Sequence, residues 1–297
     1  MSIQIGLVLF ALLTLSACQG QVIPEFDDQN AFHHLEKQCE FGPRVPGTES
    51  HLQCRDYLVE TLKKYTPHVS EQAFRETIEP GNSAVCYNII ANFHPSETRR
   101  ILLCAHWDTR PWADRDPDPA NHKKPVLGAS DGASGVAILL EIARIINIVQ
   151  PNYGVDIVFF DAEDFGTYGN NNSWALGSKR FAQSLVKNYH PEIGILLDLV
   201  GDADQQLYME QNSYKYARHI VNHVWNIADE MGIETFIPEV MYDVYDDHLN
   251  LLEAGIPCID IIDFDYEYWH TVEDTPDKCS PQSLGNVGKV VLGVLYK

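Results

Sequence analysis

The chain has 297 residues, a formal net charge of −21 and 45% hydrophobic side chains. So strong an acidic balance excludes nucleic acid and anionic lipid headgroups as natural partners. The length suits one α/β domain with a full core better than two, and no Gly/Ser linker or internal repeat divides it.

Residues 1–18 carry no charged side chain, and an apolar run from Ile5 to Leu15 leads into Leu15-Ser16-Ala17-Cys18. The run is too short for a stable transmembrane helix and ends at small residues that a signal peptidase can cleave. Residues 1–18 are therefore expected to be a lipoprotein signal peptide, although Lys and Arg are missing ahead of the apolar run. Cys18 would become the lipidated N-terminus, and residues 19–297 a single exported domain anchored to a bacterial membrane.

After a polar lead-in, Cys86 to Phe93 and Ile101 to Ala105 read as strands separated by a His-Pro-Ser-Glu turn. Thr109 to Leu127 is too polar for either element and reads as a surface loop. Ser134 to Val149, apolar nearly all round, reads as a buried helix. Val155 to Phe160, Ile193 to Leu197 and Pro257 to Ile262 are short apolar runs typical of central strands. Helical patterns lie at Gly177 to Lys187, Tyr214 to Met231 and Gln282 to Tyr296. Such alternation predicts an α/β three-layer sandwich with a twisted, mostly parallel central sheet. Cys86, Cys104 and Cys258 read as small core residues. Cys39 and Cys54 are left open as a disulfide pair, and no Cys spacing suggests a zinc finger.

Most of the predicted strands end in polar, acidic residues. The first delivers His106 and Asp108, the next Asp161, Glu163 and Asp164, then Asp198, and the last Asp263, Asp265 and Trp269-His270. Asp131 stands in Gly128-Ala-Ser-Asp-Gly132, just ahead of the buried helix. Carboxylates gathered at one sheet edge repel one another and are costly to desolvate, so a cation is implied; His with Asp oxygens suits zinc.

The segments His106-Trp-Asp108, Gly-Ala-Ser-Asp131-Gly, Phe-Phe-Asp-Ala-Glu163-Asp164, Leu-Leu-Asp198-Leu-Val-Gly and Trp269-His270-Thr-Val-Glu-Asp-Thr resemble the co-catalytic zinc aminopeptidase superfamily in order and spacing. In its two-zinc peptidases that resemblance makes His106, Asp131, Asp164, Asp198 and His270 ligands and Glu163 the general base. Asp246-Asp247-His248, Trp269 before His270, and Trp174 in Ser-Trp-Ala-Leu-Gly-Ser are similar to the glutaminyl cyclase branch. So are the His-Trp-Asp-Thr-Arg-Pro-Trp loop and Phe41-Gly-Pro-Arg-Val-Pro-Gly47.

That branch implies one zinc on Asp131, Asp164 and His270, with Glu163 as acid/base. Asp198 and Asp246 would form a hydrogen-bonded carboxylate pair, Trp174 and Trp269 would enclose the substrate glutamine, and His106 would be a hydrogen-bonding residue. The implied substrates are peptide or protein N-termini, with glutamine closed to pyroglutamate and ammonia released. The rival reading is a two-zinc aminopeptidase using His106 and Asp198 as further ligands. Gly128-x-Ser130-x-Gly132 also matches a serine-hydrolase nucleophile elbow, but only Val126-Leu127 stand where the preceding strand is needed. Arg44 is left between a substrate contact and an ion pair with a surface carboxylate.

Overall fold

The computed structural model describes residues 22–79 and 82–297; the expected signal peptide and Cys18 lie outside them. Strands β1 (Val69–Glu79), β2 (Asn82–Phe93), β3 (Arg100–His106), β4 (Gly154–Phe160), β5 (Ile193–Asp198) and β8 (Cys258–Ile262) form one sheet in the order β1-β2-β4-β3-β5-β8. β4, β3, β5 and β8 are mutually parallel, whereas β1 and β2 join as an antiparallel flank. The fold is thus the expected α/β sandwich with a mostly parallel sheet.

Side chains alternate between the two faces, as the period of two along a strand requires. Ile101, Leu103 and Ala105 of β3 face a large core, while Leu102 and Cys104 face a smaller one. The larger core is closed by α1 (Asp28–Glu40), α2 (Glu49–Lys63), α3 (Ala133–Ile148), α6 (Arg218–Met231) and α8 (Pro281–Tyr296). Phe181 of α4 (Leu176–Ser184) and Leu251 of α7 (Asp247–Glu253) close the smaller one. α3 is buried along almost its whole length, which explains why its sequence shows so little amphipathic pattern.

Several expectations are corrected. The polar lead-in contains α1, α2 and β1. The helix expected from Tyr214 to Met231 is broken at Ala217 (φ −131°, ψ 35°) into α5 (Gln211–Tyr216) and α6. Two short parallel strands, β6 (Leu207–Met209) and β7 (Phe236–Val240), flank this helical pair in sequence. The segment from Thr109 to Leu127 is irregular but not superficial: Thr109, Arg110, Asp116 and Val126 are buried because it runs beneath the strand ends. Cys39 and Cys54 are free, each packed as a small core residue, and the other four cysteines among the described residues are likewise free and buried.

Candidate metal centre and active site

Because β3, β4, β5 and β8 are parallel, their carboxyl ends share one edge of the sheet, where open α/β sheets place their ligands. His106 ends β3, Glu163 and Asp164 follow β4, and Asp198 ends β5. His270 arrives on the loop after β8. Asp131 precedes Gly132, the N-cap of α3, in a turn that needs glycine at both ends: φ is 69° at Gly128 and 100° at Gly132. A Cβ on Gly132 would meet the Asp108 carbonyl oxygen at 2.7 Å.

The structure brings Asp131, Asp164 and His270 together. His270 Nε2 lies 3.1 Å from Asp164 Oδ1 and 3.5 Å from Asp131 Oδ2. Donors about 2.0–2.2 Å from a zinc ion in tetrahedral array stand roughly 3.3 Å apart, so these spacings suit a shared ion. Asp131 Oδ2 and Asp164 Oδ2 are buried without a hydrogen-bond partner. Such oxygens are costly unless a cation meets them, so the donor set fits zinc. A second compact group is His106, Asp131 and Asp198. There His106 Nε2 stands 3.1 Å from both Asp131 Oδ1 and Asp198 Oδ1 and hydrogen-bonds the latter.

Burial dominates the electrostatics. It lifts the Asp164 carboxyl to about 7, and with the Asp198 charge it lifts Asp246 to about 7. Burial followed by the Asp246 and Asp164 charges pushes Glu163 well above the usual carboxylate range. Burial also lowers His270 to about 3, leaving the neutral imidazole that a metal requires.

Glu163, Asp198 and Asp246 line one pocket of about 200 Å3 together with Asp131, Asp164 and His270. Its apolar wall includes Trp174, Trp269, Phe264, Leu199 and Ile262. The Trp174 ring is parallel to that of His270 at 6.1 Å, and the Trp269 ring is 4.1 Å from it. Asp246 and Asp198 face this space, but each has an oxygen committed elsewhere: Asp198 Oδ1 to His106 and Asp246 Oδ1 to the Asp247 amide at 2.5 Å. The expected hydrogen bond between the two carboxylates is not made: Asp246 Oδ2 is buried without a partner, and Asp198 bonds His106 instead.

Left-handed backbone at non-glycine residues clusters here. Ala162, Ala175, Leu199 and His270 have φ of 57°, 52°, 50° and 57°, each at or beside a site residue. Each such residue costs about 1–3 kcal/mol and persists only where its surroundings fix it. Asp108 braces the loop beside Ala162, and Asp274 braces the turn that carries Asp131. Asp108 accepts hydrogen bonds from the Glu163 and Asp164 amides at 3.0 and 3.3 Å. Asp274 accepts from the Ser130 and Asp131 amides at 2.8 and 3.1 Å and from Tyr266 Oη at 2.8 Å.

Other candidates fall outside the pocket. Asp161 turns away to His51 Nε2, 2.9 Å distant, and to the Tyr87 and Ala162 amides. Asp263 accepts from the Gln206 amide at 2.8 Å. Arg44 neither reaches the substrate pocket nor pairs with a surface carboxylate; it is buried and donates to the Trp107, Leu127 and Gly128 carbonyls. Ser130 is no nucleophile elbow: it is fully buried, no strand precedes it, and its Oγ accepts from the Gly201 amide.

Sequence reasoning missed Arg110, which is 3.3 Å from Asp164 Oδ1 and stacks 4.8 Å from the Trp174 ring. Its only signal was its place in the Thr-Arg-Pro-Trp loop. His248, given no role on sequence, is fully buried beside Asp246, with Glu210 Oε2 3.2 Å and Asp260 Oδ2 3.7 Å from its ring nitrogens.

Relatives share this architecture. The crystal structure of Tannerella forsythia glutaminyl cyclase is 43% identical, with a TM-score of 0.89 over 92% of this chain and 99% of that one. That of a leucine aminopeptidase precursor from Bacteroides thetaiotaomicron is 41% identical, with a TM-score of 0.91 over 93% and 99%. A glutaminyl-peptide cyclotransferase-like protein of Bos taurus is 23% identical over 276 residues, 84% of this chain and 70% of that protein. The signature of peptidase family M28 matches residues 88–295. With that match spanning most of its length and the zinc-fitting donors falling inside it, the chain belongs to peptidase family M28.

Proposed function

We propose that this chain is a zinc-dependent glutaminyl-peptide cyclotransferase that converts an N-terminal glutamine to pyroglutamate with release of ammonia. The observation that carries this reading is Glu163 beside the Asp131, Asp164 and His270 donors, in a small pocket with tryptophans in its wall. The Tannerella forsythia structure, named as a glutaminyl cyclase, and the Bos taurus cyclotransferase-like relative support it.

Asp131, Asp164 and His270 would hold the zinc, which when bound would supply a Lewis acid for the γ-carbonyl oxygen. An N-terminal glutamine brings its own nucleophile, an α-amine within five-ring reach of the γ-carbon, so the pocket has to fold the side chain back and exclude water. Trp174 and Trp269 serve both needs. Glu163 takes a proton from the amine as the new C–N bond forms and returns it to the amide nitrogen that leaves as ammonia. Asp198 and Asp246, facing the same space, hold charge and proton beside Glu163.

One ion is favoured because in the first donor group Asp131 Oδ2 and Asp164 Oδ2 lack a partner, whereas in the second His106 already hydrogen-bonds Asp198. A two-zinc aminopeptidase is the second reading, favoured by the compact His106, Asp131 and Asp198 group and by the Bacteroides thetaiotaomicron precursor structure. Incubation with Gln-peptides and Leu-peptides separates the two: ammonia release without hydrolysis is expected, and free leucine would reverse the assignment.

Leu15-Ser16-Ala17-Cys18 supports a signal peptide over residues 1–18, lipid on Cys18, and a periplasmic or outer-membrane location for residues 19–297. Fatty-acid labelling of bacteria expressing the full chain tests this; label retained in Cys18→Ser contradicts it.

A further inference from the structure

Histidine ligands are usually oriented through the ring nitrogen that faces away from the metal, most often by a carboxylate, a backbone carbonyl or water. At His270 that nitrogen is Nδ1. The nearest carboxylate, Asp114, has its Oδ1 3.7 Å away, beyond hydrogen-bond reach. Asp114 is turned instead toward Arg110, whose Nε and Nη2 donate to its two oxygens at 2.8 and 2.6 Å. The phenol oxygen of Tyr168 fills the gap, 2.9 Å from His270 Nδ1.

Tyr168 belongs to no helix or strand, and is 46% exposed at the mouth of the pocket. Its orientation is fixed from outside. Arg115 Nε donates to the same phenol oxygen at 3.1 Å, while the Arg115 guanidinium lies 4.8 Å from the Tyr168 ring and 5.0 Å from that of Trp269. Trp174 packs against the Tyr168 ring at 5.6 Å. With Arg115 donating, the remaining acceptor site of the oxygen suits the Nδ1 proton of His270, and that tautomer leaves the Nε2 lone pair facing Asp131 and Asp164.

We propose that Tyr168 is a positioning residue for the metal: its hydroxyl, oriented by Arg115, fixes the tautomer and tilt of His270 and so ties metal affinity to the rim of the substrate pocket. This rests on His270 being a zinc ligand, as in the function proposed above. A phenol is weaker in this place than a carboxylate, which would add negative charge to a centre already rich in it. The same contact puts an exposed rim residue one hydrogen bond from His270.

The test is zinc affinity, measured on the purified chain by competition with a chromophoric chelator for wild type, Tyr168→Phe and His270→Ala. Tyr168→Phe keeps the ring contacts and deletes only the hydroxyl. It is expected to weaken zinc binding by about 10–100-fold, the range seen when such outer partners are removed. Cooperative melting of the metal-free variant checks that it folds, since the hydroxyl removed is a part-buried partner of His270. Zinc affinity within twofold of wild type would overturn the proposal. If His270→Ala bound zinc as wild type does, the ligand assignment itself would be wrong, an outcome distinct from failure of the Tyr168 role.

Discussion

Asp108 offers a sharp test of how the strained loop after β4 is held. Its carboxylate accepts from the Glu163 amide at 3.0 Å and the Asp164 amide at 3.3 Å, at residues only 8% and 1% exposed. Asp108→Ala leaves both N–H groups buried without an acceptor. At about 1–3 kcal/mol for each group, the loss is about 2–6 kcal/mol. Asp108→Asn keeps one acceptor oxygen and should cost about half as much, about 1–3 kcal/mol. Urea unfolding of the metal-free proteins, compared at constant m-value, measures both. Turnover should fall further than stability alone explains, because the same amides set the direction of Glu163 and Asp164. An alanine variant that loses less than about 1 kcal/mol, or an asparagine variant no better than alanine, would refute the reasoning.

Glu163→Gln should lower kcat by about 10²–10⁴-fold while zinc content and KM stay near wild type, since Glu163 moves a proton and holds no metal. Ammonia release and metal analysis check it, and a variant keeping half its rate contradicts it. Trp174→Ala removes part of the apolar wall and should reduce kcat/KM for Gln-peptides by about tenfold to a hundredfold, from about 1.5–3 kcal/mol of lost burial. No change would remove Trp174 from the substrate site. The metal-free protein should lose stability as pH rises. Burial holds Asp246 and Asp263 at about 7, above the value of about 4 in an unfolded chain, so the folded state binds more protons between those limits. Melting temperatures should fall from about pH 4 to about pH 7, and Asp263→Asn should flatten the slope; a rise over that window contradicts it. Glu210 acts oppositely. Burial raises Glu210, but the His248 hydrogen bond and charge together with the Ser213 and Asn212 amides outweigh it and hold Glu210 at about 2, so its contribution is present above about pH 4.5 and is lost as pH falls toward 2.

The central strands were legible because each is an apolar run buried on both faces, and their polar ends marked the site. β1 was not legible: its sequence Val-Ser-Glu-Gln-Ala-Phe-Arg-Glu-Thr-Ile-Glu places charge along an edge strand that only β2 pairs. α1 was hidden for a related reason, since its buried face includes His34 and Gln38 alongside Ala31, Leu35 and Cys39, so the apolar stripe is thin. The break at Ala217 could not be read from periodicity, because both pieces keep helical spacing. Glu210 caps the start of α5 locally through the Asn212 and Ser213 amides. Carboxylates at strand ends were easy to find but not to sort. Asp131 and Asp164 meet His270, whereas Asp108, Asp161 and Asp263 accept backbone amides. Periodicity and composition do not separate a ligand from a brace, since both are buried Asp residues after an apolar run; the family resemblance and the fold do.

The most direct test of the central claim is a titration of the metal-stripped protein with zinc while ammonia release from a Gln-peptide is followed. Activity is expected to rise linearly and stop at one zinc per chain. A rise that continues to two, or full activity with none, would contradict a single ion on Asp131, Asp164 and His270.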